Sequence, residues 1–287
     1  MTAAPPKPAG ELAPGLYIVS TPIGNLGDLT FRALEVLTQC DIVLAEDTRV
    51  TAKLLSRYNL SKKVERYDDN TDERARPKVL AALAAGKTLA LVSDAGTPLI
   101  SDPGYRLVRE AAALGFAVIP VPGASALLAA LAVAGLPTDR FLFAGFPPAK
   151  ASGRRALFEE LANVRATLAF YETGPRLADS LADMAAVFGG SREAMVAREL
   201  TKLYETCIRG TLETLAADPR LAAPRGEIVV LVGTGTDEAP EAGDVDKALA
   251  DALIRLGPSE AAQEVAKAFG LKKRDLYRRA LELKGVS

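Results

Sequence analysis

The 287-residue sequence contains no histidine and only two cysteines, Cys40 and Cys207. Without histidine, the chain cannot use a Ser-His-Asp or Cys-His catalytic group, a His-containing zinc site or a histidine general base. The two cysteines are far apart in sequence, which indicates neither a zinc site nor a disulfide framework. We therefore expect no bound metal, and a reducing location such as the cytoplasm.

Net charge and long apolar segments are also lacking. The 35 basic and 36 acidic residues leave a formal net charge of −1, so a basic surface for nucleic acid would have to be local. The longest apolar run, residues 123–136, is shorter than the roughly 20 residues of a membrane-spanning helix. We expect a buried helix there and no membrane partner. Residues 1–15, rich in Ala and Pro, are expected to form a disordered tail and not a signal peptide.

Short apolar strands alternate with helical segments in residues 16–136, which we predict to be an N-terminal α/β domain. The strands have few polar positions, as expected when both faces of a sheet are buried, and this favours a mostly parallel sheet. The predicted strands are residues 16–20, 41–45, 88–92 and 117–121, with a helix over residues 29–38 after the first.

Residues 137–233 are predicted to form a second α/β domain, with a cleft between the two domains. Residues 199–211 have the pattern of a hairpin, so its sheet should be mixed. Residues 234–243 form a polar linker, and residues 244–287 a small helical unit with a helix-turn-helix pattern. The strands of the second domain are predicted at residues 141–144, 167–171, 194–197, 205–209 and 227–232, with a helix at residues 175–188.

Three loops at predicted strand ends, residues 21–28, 93–104 and 122–126, are rich in Gly, Pro and hydroxyl residues. Ligands of open α/β sheets lie beyond the carboxyl ends of the strands, where glycines let the backbone come close to a ligand. Each loop alone could be a tight turn or a helix cap. No G-x-G-x-x-G follows a strand and no P-loop is present, so neither motif for nucleotide phosphates is supported.

These loops and several later motifs occur in the order typical of one family. The chain resembles the ribosomal RNA small subunit methyltransferase I family, which has the tetrapyrrole-methylase-like (class III) fold, over residues 16–233. The motifs are Thr-Pro-Ile-Gly-Asn-Leu-Gly-Asp at 21–28, Glu-Asp-Thr-Arg at 46–49, Ser-Asp-Ala-Gly-Thr-Pro at 93–98, Ile-Ser-Asp-Pro-Gly at 100–104, Gly-Leu-Pro-Thr-Asp-Arg-Phe at 135–141, Ala-Arg-Glu-Leu-Thr-Lys at 197–202, Arg-Gly-Thr-Leu at 209–212 and Gly-Glu at 226–227.

The resemblance implies a methyltransferase that uses S-adenosylmethionine to methylate a cytidine ribose 2′-hydroxyl in small-subunit (16S) ribosomal RNA, free or in the ribosomal subunit. It also implies a homodimer. The residues expected to bind the methyl donor are Pro22, Ile23, Gly24, Asp94, Ala95, Gly96, Thr97, Ser125, Ala126, Tyr171 and Ala197. For Asp94, a helix N-cap is the alternative role.

The sequence departs from the family where histidines are usual. Val50 follows the Glu-Asp-Thr-Arg motif, Thr173–Arg176 replaces a Ser-Pro-His-Arg stretch, and Tyr67-Asp68-Asp69-Asn70 replaces another histidine-bearing segment. A carboxylate or water must then accept the hydroxyl proton. Our catalytic candidates are Glu46 and Asp47 beside Arg49, although an Asp47–Arg49 ion pair could simply hold the loop.

Two basic segments are candidates for RNA contact. Residues 141–158 contain no acidic residue, and residues 267–284 contain seven basic and two acidic residues. Solvated surface is the alternative in both places. The candidate RNA-binding residues are Lys150, Arg154, Arg155, Lys272, Lys273, Arg274, Arg278 and Arg279.

Two other functions remain possible from the sequence. A methylase of tetrapyrrole precursors would share the fold, but a small macrocycle needs no basic terminal helices. A nucleic-acid-binding protein without enzymatic activity would need the helices, but not the glycine-rich loops.

Overall fold

The computed structural model describes residues 10–235, 242–269 and 273–284, and the chain divides into two compact units on either side of Gly235. Most of the predicted tail, most of the predicted linker and Lys272 lie outside the described residues. Within these ranges, no helix combines the length and the hydropathy needed to cross a bilayer.

The first sheet is fully parallel, with strand order β3-β2-β4-β1-β5. Its central strands are buried on both faces, because apolar side chains pack against helices on each side. The strands are Gly15–Val19 (β1), Ile42–Ala45 (β2), Val64–Arg66 (β3), Thr88–Val92 (β4) and Val118–Val121 (β5), and the helices are Phe31–Gln39 (α1), Thr48–Arg57 (α2), Asp72–Ala84 (α3), Tyr105–Ala113 (α4) and Ala126–Ala134 (α5).

The second sheet is mixed, with strand order β6-β7-β10-β8-β9. Only the β6–β7 pair is parallel among its described neighbours; the other three pairs are antiparallel. One face packs against α6, α7 and α8. The strands are Phe141–Phe143 (β6), Thr167–Thr173 (β7), Glu193–Arg198 (β8), Thr206–Thr211 (β9) and Glu227–Val232 (β10), and the helices are Ala151–Leu161 (α6), Gly174–Phe188 (α7) and Leu212–Ala216 (α8).

Helix α5 joins the two sheets. Its side chains Leu127 and Leu131 pack in one buried cluster with Met195 and Leu231 from the other face of the second sheet. This helix lies within the apolar run 123–136. Its inner face is buried in this interface, as expected, but Leu128 and Val133 on its outer face are 56% and 43% exposed. Ser125 caps its N-terminus by accepting a hydrogen bond from the Leu128 backbone N–H.

The second unit, described by itself, contains three helices in its described residues: Ala242–Arg255 (α9), Pro258–Phe269 (α10) and Lys273–Leu283 (α11). Its core is small and contains Leu249, Ala262, Val265 and Leu276. The predicted fold class, two α/β domains with a parallel and a mixed sheet followed by helices, is therefore confirmed. The short strand β3 was not predicted.

Candidate active site

Three glycine-bearing loops meet at the carboxyl end of the parallel sheet, because β1 lies between β4 and β5. Thr21 and Gly96 exchange backbone hydrogen bonds of 2.8 and 3.1 Å, joining the loop after β1 to the loop after β4. The Thr97 hydroxyl donates to the Ala124 carbonyl at 3.1 Å, which adds the loop after β5. The three loops thus form one hydrogen-bonded surface.

Two glycines make this arrangement possible. Gly96 has a φ of +79°, a left-handed conformation that other residues adopt only with strain. At Gly123, a Cβ would lie 2.9 Å from the Ser20 Cβ, so a larger residue would force apart the loops after β1 and β5. The sequence pattern of these loops therefore reflects backbone contact at this edge.

The loops face the inner side of the second sheet across a cavity of about 330 Å³, which we call the donor cavity. This volume lies in the range of about 300–1,000 Å³ that is typical of small-molecule sites. Besides polar loop residues, the walls include the apolar or aromatic side chains of Ile23, Phe146, Tyr171, Leu200 and Val229.

Nine of the eleven residues expected to bind the donor line this cavity: Ile23, Asp94, Ala95, Gly96, Thr97, Ser125, Ala126, Tyr171 and Ala197. The other two have different surroundings. Pro22 is buried, and Gly24 packs against the side chain of Lys202 from the second domain. The Asn25 backbone N–H also donates to the Thr201 hydroxyl, so this turn contacts both domains.

Asp94 is not a helix cap in this structure. The residue before α4 is Gly104, ten positions later, and Asp94 Oδ1 accepts a 3.0 Å hydrogen bond from the Asp47 backbone N–H. The carboxylate therefore joins the loops after β2 and β4 while facing the cavity.

The donor cavity is acidic. Burial is the main cause that raises the pKa of Glu46 to about 7, and repulsion from Asp102 and Asp94 adds to it. Burial, with repulsion from Asp94, likewise raises the pKa of Asp102 to about 6. Two further carboxylates, Glu172 and Glu227, come from the second sheet, but they are already paired with Arg176 at 3.4 Å and Lys202 at 2.9 Å. Glu46, Asp94 and Asp102 therefore carry the acidic character that would favour a cation in the cavity.

Asp47 and Arg49 have a different arrangement from Glu46. Asp47 caps α2 by accepting from the Arg49 backbone N–H at 2.8 Å, and its carboxylate also pairs with the Arg49 guanidinium. These hydrogen bonds hold the pKa of Asp47 well below its usual range. Asp47 is therefore a poor proton acceptor at neutral pH, whereas Glu46 is well matched to that task.

Sequence reasoning did not single out Asp102, Glu172 or Glu227 as site residues. Asp102 lies within the recognised Ile-Ser-Asp-Pro-Gly motif and Glu227 within the Gly-Glu motif, and both motifs were usable signals. Glu172 is buried at the end of β7, where it accepts hydrogen bonds from the Ser180 hydroxyl and the Thr173 backbone. It reaches the cavity only through the packing of the two sheets.

Of the three basic residues in the second domain that were expected to contact RNA, two are exposed and one is buried. Lys150, which precedes α6, is exposed, and so is most of Arg155. Arg154 is 4% exposed and pairs with Asp183 at 2.6 Å. The prediction that Arg154 contacts RNA is inconsistent with this burial, because its guanidinium is already bound to a carboxylate inside the protein.

In the helical unit, Arg274 and Arg278 project into solvent with exposed fractions of 87% and 68%. Lys273 is exposed and donates to the Gln263 side chain. Arg279 pairs with Asp246 at 2.5 Å, which ties α11 to α9 and gives this arginine a structural role. Throughout the described chain, no group of three or more metal-ligating side chains is arranged to hold an ion.

Comparison with known proteins agrees with this architecture. Residues 15–216 match the family of Tetrapyrrole (Corrin/Porphyrin) Methylases, and residues 239–284 match the RsmI C-terminal HTH domain. The uroporphyrin-III C-methyltransferase from Thermus thermophilus, solved as a complex with S-adenyl homocysteine, shares the fold with a TM-score of 0.53 and 21% identity, covering 76% of this chain and 97% of that one.

Closer relatives cover nearly the whole chain. The Ribosomal RNA small subunit methyltransferase I of Mesorhizobium japonicum is 51% identical over 98% of this chain and 96% of its own length. The protein of the same name from Erythrobacter litoralis is 55% identical over 96% of this chain and 98% of its own length. The chain therefore belongs to the ribosomal RNA small subunit methyltransferase I family, within the tetrapyrrole methylases.

Proposed function

We propose that this chain transfers a methyl group from S-adenosylmethionine to the ribose 2′-hydroxyl of a cytidine in small-subunit (16S) ribosomal RNA. The observation that carries the proposal is the donor cavity, in which the glycine loops and several carboxylates converge. The family relationship supports ribosomal RNA as the substrate.

The residues of the cavity fit the donor. S-adenosylmethionine carries a sulfonium and an ammonium against one carboxylate, and the acidic lining with Glu46, Asp94 and Asp102 complements that charge. The backbone of residues 94–97 and the Ser125–Ala126 helix start would hold the donor, with Tyr171 and Ala197 on the opposite wall. When bound there, the donor supplies the methyl group and leaves as S-adenosylhomocysteine.

Glu46 is the proposed proton acceptor. Methyl transfer to a hydroxyl oxygen requires loss of the hydroxyl proton, and a base with a pKa near the working pH serves best. The pKa of Glu46, about 7, meets this condition without histidine. The remaining contribution of the protein is to orient the two reactants and exclude water.

The two alternative functions are less well supported. A tetrapyrrole methylase would use the same cavity, but the matched helix-turn-helix unit at residues 239–284 has no role in binding a small macrocycle. A scaffold without activity would not need an acidic cavity with a raised glutamate pKa.

The test uses small ribosomal subunits from cells that lack this enzyme. The full chain, incubated with methyl-labelled S-adenosylmethionine, should label the RNA at a cytidine ribose, and Glu46→Gln should lower the rate about 10²–10⁴-fold. Glu160→Gln, at an exposed position on α6, is the matched control. Absence of label with the unmodified chain, or label on a base, would contradict the proposal.

We also infer a homodimer, as the family resemblance implies. Leu203 and Tyr204, in the turn between β8 and β9, are 88% and 70% exposed beside an edge strand, a surface suited to a second copy. Sedimentation at micromolar concentration should show a dimer that Leu203→Asp weakens. The control change Leu114→Asp, at an exposed leucine of the first domain, should leave the mass of the dimer unchanged. A monomeric mass for the unmodified chain and for both variants would refute the inference.

A further inference from the structure

A second cavity, of about 640 Å³, opens beside the donor cavity at the ends of β2 and β3. The two cavities share Glu46 and Asp94 as wall residues. The hydrogen bond from the Asp47 backbone to Asp94 Oδ1 lies at this shared wall. A group transferred between the two cavities would pass beside Glu46.

We propose that this second cavity, the target chamber, holds the nucleotide to be methylated, with Asp69 and Asn70 contacting the cytosine base and with Arg49 and Arg66 contacting the flanking phosphates. The proposal rests on the proposed function, because it assigns the substrate site of that reaction.

The segment that carries Asp69 and Asn70 is held in place by its neighbours. Tyr67 is buried, its hydroxyl donates to Asp72, and its backbone N–H donates to the Ala45 carbonyl at 2.8 Å. Asp68 Oδ1 accepts from the Thr71 backbone N–H at 2.8 Å, which closes a tight turn. The turn leaves the two middle residues, Asp69 and Asn70, exposed at the chamber. Such a fixed turn suits discrimination between similar ligands.

The chemistry of these two side chains matches cytosine better than uracil. An ionised aspartate only accepts hydrogen bonds, while an asparagine amide both donates and accepts. Cytosine presents an amino donor at N4 next to an acceptor at N3, whereas uracil presents an acceptor at O4. Asp69 would therefore accept from the cytosine amino group and repel the uracil carbonyl, with Asn70 donating to the ring.

Arg49 and Arg66 provide the positive charge at the rim. Their side chains are 86% and 63% exposed, and each guanidinium is paired with one carboxylate of the chamber, Asp47 and Asp68 respectively. These pairs reduce the negative charge that RNA would meet. An exposed arginine fork can also bind a phosphate with its free N–H groups. The charged phosphates would thus remain at the rim while the neutral base and ribose enter.

Glu46 connects the target chamber to the reaction. A ribose seated in the chamber would place its 2′-hydroxyl at the shared wall. There the 2′-oxygen forms its bond to the methyl carbon, the carbon–sulfur bond breaks with its electron pair going to sulfur, and Glu46 takes the hydroxyl proton. This arrangement keeps base recognition at Asp69 separate from proton transfer.

The experiment combines methyl transfer with nucleotide binding. In methyl transfer to small subunits from cells lacking the enzyme, Arg66→Gln and Arg49→Gln should raise the KM for the subunits about fivefold or more and leave donor affinity unchanged. Arg57→Gln, at the exposed far end of α2, is the matched control. In equilibrium binding with S-adenosylhomocysteine present, the unmodified chain should prefer cytidine 5′-monophosphate to uridine 5′-monophosphate.

The variant Asp69→Asn should lower that cytidine preference about tenfold, because it replaces an acceptor by a group that can also donate. Equal affinity of the unmodified chain for the two nucleotides would overturn base recognition in the chamber. A KM unchanged in both arginine variants, while methyl transfer proceeds, would overturn the phosphate contacts and leave the proposed function standing. If the unmodified chain transfers no methyl group at all, the proposed function fails instead.

Discussion

The backbone N–H of Asp47 donates to Asp94 Oδ1 at 3.0 Å, and this contact joins the carboxyl ends of the neighbouring strands β2 and β4. One oxygen of Asp94 is thereby used within the protein, and the carboxylate is fixed beside Glu46. Donor binding and proton transfer would then depend on the same short stretch of backbone.

The first prediction separates the charge of Asp94 from its hydrogen bond. Asparagine can still accept from the Asp47 N–H, so Asp94→Asn should keep the loop in place but remove a negative charge. Affinity for cationic S-adenosylmethionine should fall about tenfold, because a nearby opposite charge is lost, and affinity for S-adenosylhomocysteine, which lacks the sulfonium, should fall less. The variant Asp94→Ala should weaken both.

Calorimetric titration of each ligand measures these affinities, with Asp139→Asn at an exposed loop position as the control. If both Asp94 variants bind the two ligands as tightly as the unmodified chain, Asp94 has no part in donor binding.

The second prediction concerns the pH dependence of methyl transfer. A carboxylate base works only when deprotonated, so the single-turnover rate should rise with pH and level off above about 7, the pKa of Glu46. In Glu46→Gln this step in the profile should be absent. If the rate of Glu46→Gln still rises at the same pH, the group that titrates is not Glu46.

The third prediction concerns stability at the same residue. The pKa of Glu46 is raised on folding from an ordinary value of 4.5 to about 7, so the folded protein holds a proton that the unfolded chain releases. The contribution of protonated Glu46 to the free energy of unfolding is therefore lost as pH rises from about 4.5 to about 7. The melting temperature of Glu46→Gln relative to the unmodified chain should increase over this interval. A constant difference between pH 4.5 and 8 would show that Glu46 is not destabilised by its surroundings.

Much of the fold could be predicted because the central strands of the parallel sheet are short, uninterrupted apolar runs. The strand Thr88–Val92 was predicted with its observed boundaries. Strand β3, Val64–Arg66, could not be identified in this way, since it is three residues long, lies at the edge of the sheet and contains Glu65 and Arg66.

The site was only partly predictable for a physical reason. Loops at the carboxyl ends of parallel strands converge by topology, so their glycines and Asp94 could be placed together from sequence. Glu172 and Glu227 belong to antiparallel neighbours in the second sheet and reach the cavity through the packing of α5. Likewise, Arg154 has no acidic neighbour in sequence, and its partner Asp183 lies on the next helix.

The fourth prediction tests the buried Arg154. The change Arg154→Ala leaves Asp183 inside the protein with only its contact to Arg155, and removal of one partner from a buried ion pair costs about 3 kcal/mol. The change Arg155→Ala removes a side chain that is 59% exposed and should cost about 1 kcal/mol or less. Urea unfolding of the two variants measures the difference. Equal losses of unfolding free energy in the two variants would mean that the buried position of Arg154 adds little to stability.

The last prediction concerns RNA contact by the helical unit. Arg274 and Arg278 are the most exposed arginines of α11, whereas Arg279 is 47% exposed, holds Asp246 and should be spared. If Arg274 and Arg278 contact phosphates, the double variant Arg274→Glu and Arg278→Glu should weaken RNA binding. Each lost contact should also lower the slope of log affinity against log salt concentration by about 0.7–0.9.

Lys247→Glu, at an exposed position of α9, makes the same kind of charge change and serves as the control. Glutamate and arginine are both good helix formers, so neither change should unfold the unit. When RNA affinity is measured at a series of salt concentrations, only the double variant should show a smaller slope of log affinity against log salt concentration. The same slope in all three proteins would mean that this basic face is only solvated surface, and the RNA contacts would have to lie at Lys150 and Arg155 or at the target chamber.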